Sequence, residues 1–170
     1  MEEIWKRIQT WLAANAPQGH GQLRPAASAD SVSAAEEAIC LKLPADLKAS
    51  FLVHDGQVDE PGLIGGEGWC LLSLHEIVEQ WQRWSKSESQ DVGCVPIAWD
   101  AMGDYIFLDL RDSEQPGRVM VQRRDSAVPD PVAPSFRSWL EDFANRLDNG
   151  EFAYSEDDGC LMYADEIDVD

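Results

Sequence analysis

The spacing of apolar residues changes character along this chain, and that change constrains the fold more than any other feature. Ile4, Trp5, Ile8, Trp11 and Leu12 recur at intervals of three and four, which lays them on one face of a helix. Val32, Ala35 and Ile39 repeat the pattern behind a cap at Ser28 or Asp30. Leu47, Phe51 and Leu52 repeat it behind Leu43-Pro44, since proline suits the start of a helix. Ser73-Leu74-His75-Glu76 has the form of a capping box, and Leu74, Ile77, Val78 and Trp81 form the stripe behind it. Between residues 95 and 123 the rhythm becomes that of strands: Val95 to Trp99, Tyr105 to Leu110 and Gly117 to Arg123. Residues 100 to 104 read as a hairpin connection, with Gly103 supplying a positive φ and Asp104 accepting backbone amides. Ser135 then caps a helix carrying Phe136, Trp139, Leu140, Phe143 and Leu147, which Gly150 stops. Phe152 to Ser155 and Cys160 to Tyr163 flank an Asp-Gly turn signal.

Helices first, then a contiguous strand block, then a helix and a hairpin predict an α+β fold. Its core is a central, mainly antiparallel twisted β-sheet packed against several helices, and alternating βαβ units are excluded by the order. With 170 residues, 44% of them hydrophobic, residues 1–170 are expected to form a single domain with its own core. Four segments read as irregular. Pro17 to Gly21 breaks regular structure, and residues 57–68, with four glycines and a proline, form a surface excursion. Ser85 to Gln90 is a polar linker, and proline-rich Val128 to Pro134 is a loop. Gly56 is expected as the left-handed cap of the third helix.

Charge excludes several partners. Against 32 Asp and Glu stand 13 Lys and Arg, a net charge of −19. Such a field repels phosphate backbones and anionic lipid, so neither direct nucleic-acid binding nor membrane binding is expected, and it favours encounter with a basic protein. The acidity is uneven: no Lys or Arg follows Arg146, whereas Glu156, Asp157, Asp158 and six other acids do. A solvated tail and a docking surface account equally well for that segment. Of the seven tryptophans, Trp5, Trp11, Trp81 and Trp139 lie on helix stripes and belong to the core. Trp84 and Trp99 are less determined, and as groove-edge aromatics beside acids they are candidate partner contacts together with Glu156, Asp157 and Asp158. The amphipathic, acidic start and the absence of a long apolar run point to a cytoplasmic protein.

Catalytic templates find little support. The chain has no nucleophile elbow, zinc-protease motif, phosphate-binding loop or dinucleotide fingerprint. Cys40, Cys70, Cys94 and Cys160 lack metal-ligand spacing and read as buried free thiols beside apolar stretches. His54, Asp55, Asp100, Asp104 and Asp109 can be assembled on paper into a hydrolytic or metal-binding cluster. Each also has a simpler local explanation: Asp55-Gly56 as a helix stop, Asp100 and Asp104 on turn amides, Asp109 at a strand end. No catalytic residue, metal or cofactor is expected.

An ordered series of short motifs runs from residue 4 to residue 150: Trp5-Lys6-Arg7-Ile8, Ser33-Ala34-Ala35-Glu36, Leu43-Pro44-Ala45-Asp46-Leu47, His54-Asp55-Gly56-Gln57, Leu71-Leu72-Ser73-Leu74, Val95-Pro96-Ile97, Gly103-Asp104, Leu108-Asp109-Leu110, Gly117-Arg118-Val119 and Ser135-Phe136. In this order and spacing the chain resembles the SMI1/KNR4 family of the SUKH superfamily. It departs from the family at Cys40-Leu41-Lys42, where a leucine-glycine step is usual. The resemblance implies an α+β fold with a twisted sheet against helices, and structural roles for Glu36, Leu43, Pro44, Asp55, Gly56, Gly103 and Asp104. It implies no catalytic residues. Bacterial members are widely immunity proteins of polymorphic toxin systems, and fungal members regulate cell-wall synthesis and signalling. The expectation is a non-enzymatic immunity protein that neutralises a cognate toxin, such as a basic nuclease, by direct binding. The alternative is an intracellular regulator or adaptor, and a small Asp/His-dependent hydrolase is a third reading.

Overall fold

A computed structural model describes residues 1–58, 62–65, 68–86, 92–111, 116–157 and 159–165. The helices are α1 (Glu2–Asn15), α2 (Pro17–His20), α3 (Ala29–Ile39), α4 (Ala45–Phe51), α5 (Leu74–Ser85) and α6 (Phe136–Asp148). The strands are β1 (Cys70–Leu71), β2 (Cys94–Trp99), β3 (Tyr105–Asp109), β4 (Arg118–Gln122), β5 (Asp130–Ala133), β6 (Phe152–Ser155) and β7 (Cys160–Tyr163). β1 to β5 form one antiparallel sheet in chain order, and β6 and β7 form a separate antiparallel hairpin. The α+β arrangement with an antiparallel central sheet is therefore the observed one.

The apolar stripes sit where their periods put them. Trp5, Ile8 and Leu12 of α1, Ile39 of α3, Ile77 of α5 and Leu140 of α6 are fully or almost fully enclosed. Side chains alternate across the sheet, so Ile106, Leu108, Val119 and Val121 share one face, and Tyr105 and Phe107 point to the other. α6 lies over the Ile106 and Val121 face. Trp84, at the end of α5, packs edge-on against Tyr105 and Phe107 on the opposite face.

Several local expectations are corrected. Pro17 does not break the chain but starts the one-turn helix α2, where its missing N–H costs nothing. Part of the expected surface excursion over residues 57–68 is core: Leu63 and Ile64 are wholly buried, and Gln57 bridges to Leu23 and accepts the N–H of Leu63, while residues 59–61, 66 and 67 lie outside the described residues. Leu52 is half-exposed because α4 ends at Phe51, one residue before the stripe does. Gly56 does not cap α4; it adopts φ +72° five residues after the helix ends, where the chain passes the backbone of Leu72 and Ser73. The segment from Val128 to Pro134 contains β5, and Pro131 is tolerated there because β5 is the edge of the sheet. Cys40 is exposed and Cys160 half-buried, so only Cys70 and Cys94 are buried as expected. Residues 87–90 of the polar linker, Asp158, and the terminal acids Glu166, Asp168 and Asp170 lie outside the described residues.

Candidate functional site

α5 builds the first candidate surface. Its N-terminus is held by the capping box: Ser73 Oγ accepts the Glu76 N–H, and the Glu76 carboxylate accepts the Ser73 N–H at 2.8 Å. With the helix so placed, Glu76, Glu79, Gln80 and Arg83 follow one another at helical spacing along a groove of about 280 Å³ floored by Leu72, Trp99 and Tyr105. Trp99 and Tyr105 are direct cross-strand partners of β2 and β3, which sets their rings side by side. Trp84 supports this floor from behind, with its ring centroid 5.2 Å from that of Tyr105. Burial pushes the Tyr105 hydroxyl above its usual range against the opposing pull of Arg83, so it stays a neutral donor at physiological pH. Further along the rim, Glu79 is loosely held, with His75 and Arg83 at 3.6 and 3.8 Å. Such loosely paired, exposed groups can exchange partners at little cost.

The acidic hairpin is folded onto α6. Phe152 packs against Phe143 and Tyr163, with centroids 5.8 and 5.2 Å away. The Arg146 guanidinium lies over the Phe152 ring at 4.4 Å and pairs with Glu151 at 3.0 Å. Burial opposes the charge of Arg146, but hydrogen bonds to Tyr163 and Glu151 outweigh it and hold the guanidinium protonated. This clamp leaves Glu156 and Asp157 exposed in the turn between β6 and β7. The two groups of predicted contact residues are not brought together. Trp84 sits on the Tyr105 face of the sheet and Trp99 in the groove beside it, whereas the hairpin is clamped to α6 on the Ile106 face.

A second groove, of about 380 Å³, opens between α6 and the β4–β5 edge. Trp69, Trp139 and Phe143 form its floor, and Asp130, Asp142, Arg123 and Arg146 stand around it. Sequence reasoning missed it, because three prolines between residues 128 and 134 masked the strand that forms one wall. Trp139 was legible as a core residue, but nothing in the sequence pairs Asp130 with Asp142.

The remaining motif residues hold the fold. Glu36, 6% exposed, accepts the Leu43 N–H at 2.8 Å and pairs with Lys42 and Lys48, which ties the end of α3 to the start of α4 at Pro44. Burial pushes the Glu36 carboxyl up, but the bonds from Lys42, Leu43 and Lys48 together hold it below its usual value. His54 is fixed by its Nδ1 contact to the Arg24 carbonyl, by Gln9 and by the Trp5 ring. Asp55 does not stop a helix; it accepts the Leu74 N–H of α5 at 2.8 Å. Asp100 accepts the N–H groups of Met102 and Asp104, and Gly103 between them has φ +89°. Asp104 accepts the Arg124 N–H at 2.7 Å, and Asp109 is bound by Arg111. The hydrogen bond from Arg111 draws the Asp109 carboxyl below its usual range. Among the described residues no three His, Cys, Asp or Glu side chains converge as a metal site, and no helix is long and apolar enough to cross a membrane.

Comparison with known proteins agrees with the motif series. The profile of the SMI1 / KNR4 family (SUKH-1) matches residues 26–142. The cell wall biosynthesis/cell cycle regulator smi1 of Schizosaccharomyces pombe is 28% identical over 196 aligned positions, covering 95% of this chain and 39% of that protein. The cell wall assembly regulator SMI1 of Saccharomyces cerevisiae is 30% identical over 84 positions, covering 47% of this chain and 17% of that protein. F-box only protein 3 of Mus musculus is 22% identical over 191 positions, covering 99% of this chain and 40% of that protein. The chain thus spans two fifths or less of the length of these relatives.

Proposed function

The chain belongs to the SMI1/KNR4 family (SUKH-1), and from that membership we propose that it is a non-enzymatic, cytoplasmic protein-binding module with a regulatory or adaptor role. The observation that carries this reading is the similarity, over 95% of this chain and 39% of the relative, to a protein named as a regulator of cell-wall biosynthesis and the cell cycle. A net charge of −19 supports a basic protein surface as the partner. Loosely paired charges over an aromatic floor, as at Trp99 and Tyr105, suit a contact that forms and releases.

A second reading is an immunity protein that neutralises a cognate toxin, a basic nuclease among the candidates. It is favoured by Glu156 and Asp157, which project from a clamped hairpin and not from a loose tail, as an acidic mask over a cationic face would require.

The test is cross-linking in the native host, affinity capture and mass spectrometry, followed by stopped-flow association with the purified partner. A stoichiometric protein partner whose association slows as salt rises supports the module. A host regulatory protein selects the first reading, and a toxin encoded beside this chain selects the second. Absence of any stoichiometric partner, or turnover in a hydrolase screen that Asp55→Asn and His54→Gln abolish, overturns both.

A further inference from the structure

We propose that Asn149 and Gly150, at the junction between α6 and the β6–β7 hairpin, form a self-modifying site, at which the Asn149 amide is lost as ammonia and the backbone closes into a succinimide. The chain has three asparagines, and the fold treats them differently. Asn15 donates its amide to the Trp11 carbonyl at 2.8 Å and precedes Ala16. Asn145 accepts the Arg7 guanidinium at 2.8 Å and precedes Arg146. Asn149 is exposed, its side chain makes no hydrogen bond among the described residues, and a glycine follows it. A Cβ built on Gly150 would meet nothing within 4 Å, so the space beside the junction is open. The Gly150 N–H is donated to the Leu147 carbonyl at 3.1 Å, a bond of the last turn of α6, where a helix frays first. Opening of that turn frees the nitrogen. Asp55-Gly56 carries the related chemistry of an acid before a glycine, but there the fold locks it. Asp55 Oδ1 holds the Leu74 N–H, and Gly56 lies against the backbone of Leu72 and Ser73.

The chemistry needs only water. The Gly150 nitrogen, having lost its proton, attacks Asn149 Cγ, and the new C–N bond closes a five-membered ring. The Cγ–Nδ2 bond breaks, and Nδ2 leaves as ammonia with the proton that Gly150 gave up. Glycine favours the attack because no side chain stands beside the nucleophile. Water then opens the ring at one of two bonds. Cleavage between the nitrogen and Cγ restores the ordinary backbone and leaves an aspartate. Cleavage between the nitrogen and the main-chain carbonyl carbon leaves the chain running through Cγ, as isoaspartate. Either product puts a new carboxylate at the C-terminal, negative end of α6. It stands one residue from Asp148, which is already paired with Arg7. Isoaspartate also lengthens the backbone by one carbon between α6 and β6. Arg146 and Phe152 lie on either side of that junction, so the stack that clamps the hairpin to α6 is the contact placed under strain.

The experiment ages the full chain at neutral and mildly alkaline pH, beside the same chain unfolded in urea. Peptides are mapped by mass spectrometry, and isoaspartate is read by enzymatic methyl transfer. The expected result is conversion at Asn149 in the folded protein at least about tenfold faster than at Asn15 or Asn145, rising with pH and yielding isoaspartate. Asn149→Gln, whose longer side chain must close a six-membered ring, should remove the signal. In the aged protein, NMR shifts should concentrate on Arg146, Phe152 and Tyr163. Asn149→Asp, which adds the charge without the extra carbon, should move them less. An Asn149 amide retained in the folded chain while the urea sample loses it overturns the proposal, because the last turn of α6 then shields it. Equal conversion at all three asparagines, or an undiminished signal in Asn149→Gln, overturns it as well. Unmoved hairpin resonances in protein carrying isoaspartate overturn the strain on the clamp.

Discussion

Asp55 Oδ1 accepts the backbone N–H of Leu74 at 2.8 Å, so a residue from the segment after α4 caps α5, nineteen positions away. Together with the Ser73–Glu76 box it satisfies the N–H groups that open α5, the helix that walls the Trp99 groove. Removing the acceptor by Asp55→Ala should cost about 0.5–2 kcal/mol, and Asp55→Asn, which keeps an acceptor oxygen, should cost less. Urea unfolding checks this: a lower midpoint with an unchanged slope is expected, and equal losses for both variants would remove the capping role.

Glu36 makes stability depend on pH. Its carboxyl is held below the unfolded value of about 4.3, so its stabilisation is complete above that pH and is lost as pH falls through the folded value. Glu36→Gln keeps the shape but gives up the charged acceptor for Leu43 and Lys48, a loss of about 1–3 kcal/mol at neutral pH. Melting the two proteins from pH 7 to pH 3 should show the gap closing toward the acid end. A gap constant with pH would mean that packing and not charge is responsible.

Two glycines should respond unequally to substitution. At Gly103, φ is +89° but a Cβ would find nothing nearer than Arg124 at 3.7 Å, so Gly103→Val meets backbone strain alone and should cost about 1–3 kcal/mol. At Gly56, φ is +72° and a Cβ would also lie 2.5 Å from the Ser73 nitrogen, which is backbone and cannot step aside. Gly56→Ala should therefore lower the melting temperature more than Gly103→Val does, despite the smaller side chain. An unchanged melting temperature in Gly103→Val with loss of partner binding would instead make that turn a recognition element.

Cys40 is the non-glycine residue with positive φ, at 54°, among the described residues. It closes α3 in the left-handed conformation, with its N–H donated to the Glu36 and Glu37 carbonyls. A residue with a Cβ is strained there by about 1–2 kcal/mol, partly offset by the greater unfolded-state freedom of glycine. Cys40→Gly should raise stability by about 0.5–1 kcal/mol. Calorimetry against Cys40→Ala separates the causes, since Cys40→Ala keeps the strain and should show no gain.

The sequence by itself determined the element types, because period and capping are local. Apolar spacing places Trp5, Ile8 and Leu12 on one helix face, Ser73 and Glu76 announce the start of α5, and an Asp-Gly turn marks the β6–β7 hairpin. It also determined the net charge of −19. What it left open was every relationship between residues far apart in the chain. Glycines and prolines are read by their local conformational cost, so Gly56 passed for a helix cap and Pro131 for a loop residue. Their places follow from the backbone of Leu72 and Ser73 pressing on one and from the other lying at a sheet edge. In the same way, only the tertiary structure put Trp84 and the acidic hairpin on opposite faces of the sheet. It alone brought Asp130 and Asp142 to one groove, because which residues line a groove is decided by how α6 and β5 pack and leaves no mark on either segment's own pattern.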